Sequence, residues 1–98
     1  MSKTPVSVVV ITKNEENNIG ECLQSVSDWA EEIVIVDDQS SDRTVEIAQD
    51  YTDKIFHRKM DNEGRHRNWA YAQARNEWVL SLDADEKVTE ELKTEITT

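Results

Sequence analysis

An α/β domain built on a parallel sheet is the fold class that this chain predicts, and three observations predict it. Short apolar, mostly β-branched runs recur about every 22 to 26 residues. Between each pair lies a stretch with helical spacing or composition, which is the strand, helix, strand rhythm of right-handed crossovers. Three of the runs end in polar residues: Thr12-Lys13-Asn14-Glu15, Asp37-Asp38 and Asp83-Ala84-Asp85. Open α/β sheets bind their ligands outside the carboxyl ends of the strands, so these positions are the candidate site.

The elements follow in order. Val6 to Ile11 is apolar and β-branched, which argues for a buried first strand. Ile19, Cys22, Leu23 and Val26 then fall at i, i+3, i+4 and i+7, an amphipathic helix that ends near Trp29, with Glu15 and Glu16 at its favourable positive end. Glu32 to Val36 is the second strand. Gln39-Ser40-Ser41-Asp42 supplies turn and cap chemistry for a second helix, about Asp42 to Tyr51, with Val45, Ala48 and Tyr51 on one face. A weaker third strand covers Lys54 to Arg58, and a polar loop follows at Asp61 to Gly64. Arg65 to Arg75 is rich in helix formers, and Trp78 to Leu82 reads as a fourth strand covered on both faces. A stripe of Val88, Leu92 and Ile96 predicts a last helix. Trp29, Trp69 and Trp78 read as core or half-buried aromatics, and His57 and His66 as surface residues.

Composition narrows the function. Ninety-eight residues make one small domain with a single modest core. Twenty-one acidic against 11 basic side chains leave a net charge of -10, which disfavours nucleic acid and anionic lipid as partners. No apolar run approaches the roughly 18 residues of a membrane span, and Met1 to Pro5 lacks the apolar core of a signal peptide, so a soluble, cytoplasmic chain is expected. Cys22, the only cysteine, can form no internal disulfide and reads as a small core residue.

The chemistry concentrates after the fourth strand. Asp83 and Asp85 meet near one point only if the backbone turns between them, and two such carboxylates stay ionised together when a cation or donors lie between them. A divalent metal is the natural candidate, its shell completed by water and phosphate oxygens. Neither the G-x-G-x-x-G turn nor the G-x-x-x-x-G-K-[ST] loop is present, and the chain holds only two glycines. A phosphate site without a glycine cradle needs another source of positive charge, and a metal at Asp83 and Asp85 would supply it.

Three segments carry a resemblance: Val6 to Glu16, Val36-Asp37-Asp38-Gln39-Ser40-Ser41-Asp42-Arg43-Thr44, and Leu82-Asp83-Ala84-Asp85-Glu86. In order and spacing they are similar to the signatures of glycosyltransferase family 2, and the Thr-Lys-Asn-Glu and Ser-Leu-Asp-Ala-Asp-Glu runs resemble the branch that builds lipopolysaccharide cores. The resemblance implies a GT-A fold, a Rossmann-like parallel sheet of about four strands in the order 3-2-1-4, and inverting transfer of a sugar from a nucleotide diphosphate donor, a UDP-sugar first, to a glycan or lipopolysaccharide core acceptor. It covers residues 1–98 as the nucleotide-sugar-binding part of a domain expected to continue on the C-terminal side, and the catalytic base, for which it names no residue here, is expected there too. By resemblance Thr12, Asn14 and Glu15 belong to the nucleotide site, Asp38 contacts base or ribose, and Arg67 matches a basic residue of the helix lining the base pocket. Asp83 approaches the ribose, and Asp85 binds Mg2+ or Mn2+ bridging the diphosphate. Lys13 stands where the family commonly has tyrosine. Gln39 and Arg43 stand where it has glycine, which predicts a different turn after the second strand.

Other readings share these residues. Thr12, Asn14 and Glu15 can cap the first helix, Asp38 can serve a turn, and Arg67 can be a solvated helix charge. A non-catalytic α/β nucleotide-binding or interaction module keeps the same fold. A haloacid-dehalogenase-type phosphatase also uses Asp-x-Asp with Mg2+, but after its first strand, whereas three strands precede the motif here. A receiver-type module likewise places its acid pair after strand one. With the implied strand order, the fourth strand is an edge, and self-association through it is expected.

Overall fold

The computed structural model describes residues 3–97. Eight elements alternate in the order β1 (Thr4–Thr12), α1 (Ile19–Ser27), β2 (Ala30–Asp37), α2 (Thr44–Ala48), β3 (Ile55–His57), α3 (Glu63–Ala72), β4 (Trp78–Asp83) and α4 (Glu90–Thr97). The strands form one parallel sheet in the order β3-β2-β1-β4, as expected. Predicted and observed boundaries differ by a few residues. The largest change in length is at α2, which is a short helix continued by single turns through Tyr51 and Thr52.

β1 and β2 are buried on both faces because a helix layer covers each side. Val8, Val10, Ile33 and Ile35 pack with Ile19, Cys22, Leu23 and Val26 of α1, all four of which are fully buried. On the other face Val9, Val34 and Val36 meet Ala70 of α3, with Trp69 and Phe56 edge-to-face beside them. Continuous β-branched runs suit this arrangement, since alternate residues serve different cores. Each such side chain contributes about 1.5–3 kcal/mol by leaving water.

Four expectations are corrected. β4 is not covered on both faces: α3 lies over β1 and β2, so only Leu80 and Leu82 enter a core while Val79 stays 38% exposed. Trp78, at the start of this edge strand, is 75% exposed rather than half-buried. In α2 the inward residues are Thr44, Ile47, Ala48 and Tyr51, with Ile47 in place of the expected Val45. The helix is only five residues long, so its inward face is set by docking on α1 and not by a long stripe. Leu92 of α4 is exposed, while Val88 and Ile96 pack on the core as expected.

The amino ends of the strands are braced by one buried carboxylate. Glu32 accepts from Ser7 Oγ at 2.6 Å, from the amide of Arg75 at 2.8 Å, from Arg75 Nε at 3.1 Å and from Lys54 Nζ. Asn76 in turn donates to Ser7 Oγ through both its amide and its side chain. The brace ties β1, β2, the approach to β3 and the turn before β4.

Burial alone would raise the Glu32 carboxyl, but the hydrogen bonds from Lys54, Ser7 and Arg75 outweigh it and hold it down at about 2. A carboxyl depressed by folding stabilises the fold above its unfolded value of about 4.5, and that contribution is lost as the pH falls towards 2. Denaturant unfolding followed across this window should show a steep loss of stability. Glu32→Gln should cost about 2 kcal/mol at pH 7 and flatten that slope; equal slopes in both proteins would rule the brace out.

Candidate functional site

Parallel register brings the polar strand ends together. Thr12 of β1 pairs with Asp37 of β2, and Ile11 pairs with Asp83 of β4. Beyond these ends opens a cleft of about 400 Å3. Ile11, Thr12, Lys13 and Glu15 form its β1 wall, Asp38 and Met60 come from beyond β2 and β3, His66 from α3, and Asp83, Ala84 and Asp85 from the turn after β4. A larger hollow of about 720 Å3 lies at the other end, between Pro5, Val6, Val79, Leu80 and Ile96, and its lining is chiefly apolar.

Five of the seven predicted residues, Thr12, Glu15, Asp38, Asp83 and Asp85, line the cleft. Arg67 stands just behind it, with Nη2 3.8 Å from Asp83 Oδ1, Nε 3.4 Å from Glu63 and Nη1 3.4 Å from Ser81 Oγ. Tyr71 shares Ser81 with it, and that hydrogen bond, with Arg67 second, lowers the phenol from its ordinary value.

Asn14 is placed differently. Its backbone is left-handed (φ 52°), its amide donates to Ser40 Oγ at 2.8 Å, and its Oδ1 accepts from the Ser41 amide at 2.7 Å. Ser40 is itself held by buried Asp37, which accepts from its amide and hydroxyl. Nearby, the Glu15 amide donates to Thr44 Oγ1 and the Glu16 amide to Asp42. The Thr44 hydroxyl, bonded to Asp42, holds that carboxyl below the usual carboxylate range. The loops after β1 and β2 are thus laced together, and Asn14 is spent on the lacing. None of Thr12, Asn14 and Glu15 caps α1 by its side chain, because Asn18 occupies the cap position. Gln39 also takes a left-handed backbone (φ 56°), the conformation that glycine serves freely.

At β4 the chain turns through Ala84 and Asp85 as expected, closed by the Glu86 amide on the Asp83 carbonyl at 2.9 Å. Glu86 Oε1 accepts from the Asp83 amide at 2.8 Å. Asp83 therefore has Arg67 beside it, whereas Asp85 has no hydrogen-bond or ion-pair partner among the described residues. Cys22 lies beneath this turn, its Sγ 3.6 Å from the Asp83 carbonyl; burial first, and then the charges of Glu86, Asp85 and Asp83, push the thiol up to about 12. It is the core residue that its sequence context implied.

The expectation for the histidines is half corrected. His57 is exposed, but His66 is only 1% exposed and forms part of the cleft wall. Its spacing of four from Ala70, the other buried residue of α3, was the available signal; a helix with only two buried positions shows little stripe. Lys13 and Met60 were likewise not assigned to the site.

Comparison with known proteins bears on the family and the fold. The sequence profile described as glycosyl transferase family 2 matches residues 7–96. The chain belongs to that family. An uncharacterized glycosyltransferase of Rickettsia typhi is 36% identical over 91 residues, covering 93% of this chain and 31% of the relative. A lipopolysaccharide core biosynthesis glycosyltransferase, LpsC of Rhizobium meliloti, is 32% identical over 96 residues, covering 93% of this chain and 35% of that protein. Crystal structures of S. aureus TarS in complex with UDP and with UDP-GlcNAc superpose with TM-scores of 0.71 and 0.70 at 33% and 34% identity, over 97% of this chain and 31% and 30% of theirs. The chain thus spans about a third of the length of the relatives it matches. Among the described residues no helix is long and apolar enough to cross a membrane.

The lacing generates a test. Asn14→Ala loses both the bond to Ser41 and the tolerance of a left-handed backbone, and should cost about 2 kcal/mol in denaturant melts. Asn14→Gly keeps the backbone and should cost about half as much. Two variants of equal stability would show that the left-handed conformation carries no energetic weight.

Proposed function

We propose that the cleft is the donor site of an inverting sugar transfer and takes a nucleotide diphosphate sugar, a UDP-sugar first. The observation that carries the reading is the convergence of Thr12, Glu15, Asp38, Asp83 and Asp85 on one cleft at the strand ends of a family 2 domain. TarS, which resembles this chain in fold, is crystallised with UDP and with UDP-GlcNAc. In this reading the base lies among Thr12, Glu15 and Asp38, Asp83 approaches the ribose, and the diphosphate lies over the turn at Asp85. The relationship to LpsC favours a glycan acceptor, a lipopolysaccharide core first.

A diphosphate approaching a chain of net charge -10 needs positive charge at its seat. Lys13 on the cleft wall supplies some of it. The residues also fit a divalent cation. No group of three or more metal-ligating side chains is gathered among the described residues, but Mg2+ or Mn2+ commonly binds through one or two carboxylates, with water and phosphate oxygens completing the shell. Asp85, exposed and without a partner among the described residues, is the ligand of choice, and a cation bound there would stabilise the departing diphosphate. NMR titration with UDP and Mn2+ should broaden resonances of Asp83 to Glu86 first. Asp85→Ala should abolish the broadening, whereas Asp83→Ala should mainly weaken UDP about tenfold. Undiminished metal-dependent binding by Asp85→Ala would overturn the assignment.

Self-association through β4 belongs to the same proposal. The strand pairs only with β1, and Trp78 and Val79 are exposed along its free edge. Sedimentation at millimolar protein should reveal dimers that Val79→Lys suppresses. A single monomer boundary at that concentration would count against the pairing.

A further inference from the structure

Two buried polar atoms among the described residues have no hydrogen-bond partner in the protein: Oγ1 of Thr12 and Nε2 of His66. Both residues belong to the wall of the one cleft, and they are only 3% and 1% exposed. Buried groups of this kind are normally paired, and two orphans on one cleft mark where a ligand's polar edge belongs.

The polarity of His66 is set from behind. Arg58 Nη1 lies 2.8 Å from His66 Nδ1, and a guanidinium can only donate. Nδ1 is therefore the acceptor, which leaves the ring proton on Nε2. Arg58 is held in place by Asp61 at 3.2 Å, by the Trp69 ring at 5.7 Å and by its own amide on the Asp37 carbonyl at 2.9 Å. His66 thus presents an obligatory donor, while the Thr12 hydroxyl can accept or donate. Ile11 and Met60 on the same wall offer apolar surface to a flat ring.

Resting on the donor-site reading above, the geometry points to His66 as the residue that selects the base. Nε2–H of His66 donates to the carbonyl at the 4-position of a pyrimidine, and Thr12 Oγ1 accepts from the neighbouring N3–H. Uracil presents that pair. Cytosine presents an amino group and an unprotonated N3: the Thr12 hydroxyl can turn to donate to N3, but donor meets donor at His66, whose Nε2–H is left unsatisfied. Sites built on such directed bonds reject the mismatched analogue more strongly than apolar pockets do.

Calorimetry with UDP and CDP, each with Mn2+, tests this on the parent chain, His66→Phe and His66→Gln. The parent should bind UDP at least about tenfold tighter than CDP. His66→Phe should lose about tenfold for UDP and little for CDP, bringing the ratio near one, and His66→Gln, whose amide can donate, should recover part of the preference. Equal affinity of the parent for the two nucleotides, or an unchanged ratio in His66→Phe, overturns the role of His66 while leaving the donor site standing. Failure of the parent to bind either nucleotide overturns the donor site itself and this inference with it. Should His66→Phe not fold, the Nε2–H resonance of the parent decides: it should shift and become protected from exchange with UDP but not with CDP, and a resonance unmoved by UDP overturns the inference.

Discussion

The register of β1 is the constraint on which the rest of the molecule depends. As the central strand it is hydrogen-bonded on both sides, to β2 and to β4, and the two pairings end within one residue of each other at Ile11 and Thr12. Because β-strand side chains alternate, a slip of one residue on either side would exchange the two cores, moving Val9 into the layer of Val8 and Val10. It would also separate the acids of β2 and β4 from the β1 loop. The cleft is thus a consequence of core packing: valines that must face the right helices carry the carboxylates to one edge.

The two ends of the sheet treat charge in opposite ways. At the amino end Glu32 is buried and saturated by four hydrogen bonds from three other segments, so its charge serves cohesion. Among the described residues, at the carboxyl end Asp37 is spent on the turn, Asp38 accepts only the Met60 amide at 3.1 Å, Asp83 shares Arg67, and Asp85 is left to solvent. That gradient separates structural acids from acids able to receive a ligand. Neighbouring residues of identical type, Asp37 and Asp38, fall on different sides of it because successive side chains at a strand end point to opposite faces.

Rigidity around the cleft comes from backbone-directed bonds more than from apolar contact. Asp37, Ser40, Asn14, Ser41, Asp42 and Thr44 link the loops after β1 and β2, and most of these bonds engage backbone amides. Such a lattice holds the wall at Thr12 and Asp38 without filling it. The opposite is true of β4, whose outer edge has neither a strand nor a full helix layer, so apolar residues there remain in contact with water.

Alternation of β-branched runs with amphipathic helices determined the α/β class, the parallel sheet and the acidic strand ends, since these follow from local periodicity and from the chemistry of side chains in a row. Six of the seven predicted residues lie in the three segments that carry family signatures, Arg67 alone coming from a helix, and five of the seven meet in space through the β1 register. Tertiary structure alone decided the rest. Whether an apolar residue on β4 is covered depends on where α3 docks, which local pattern does not encode, so Val79 and Trp78 were read as more buried than they are. Asn14 and Asp85 are both polar residues in turns, and only the fold gives the first two loop partners and the second none among the described residues. His66 reads as a surface histidine in sequence because its burial comes from the convergence of α3 with the ends of β1 and β3, segments distant in the chain, and long-range convergence leaves no mark on the residues next to it in sequence.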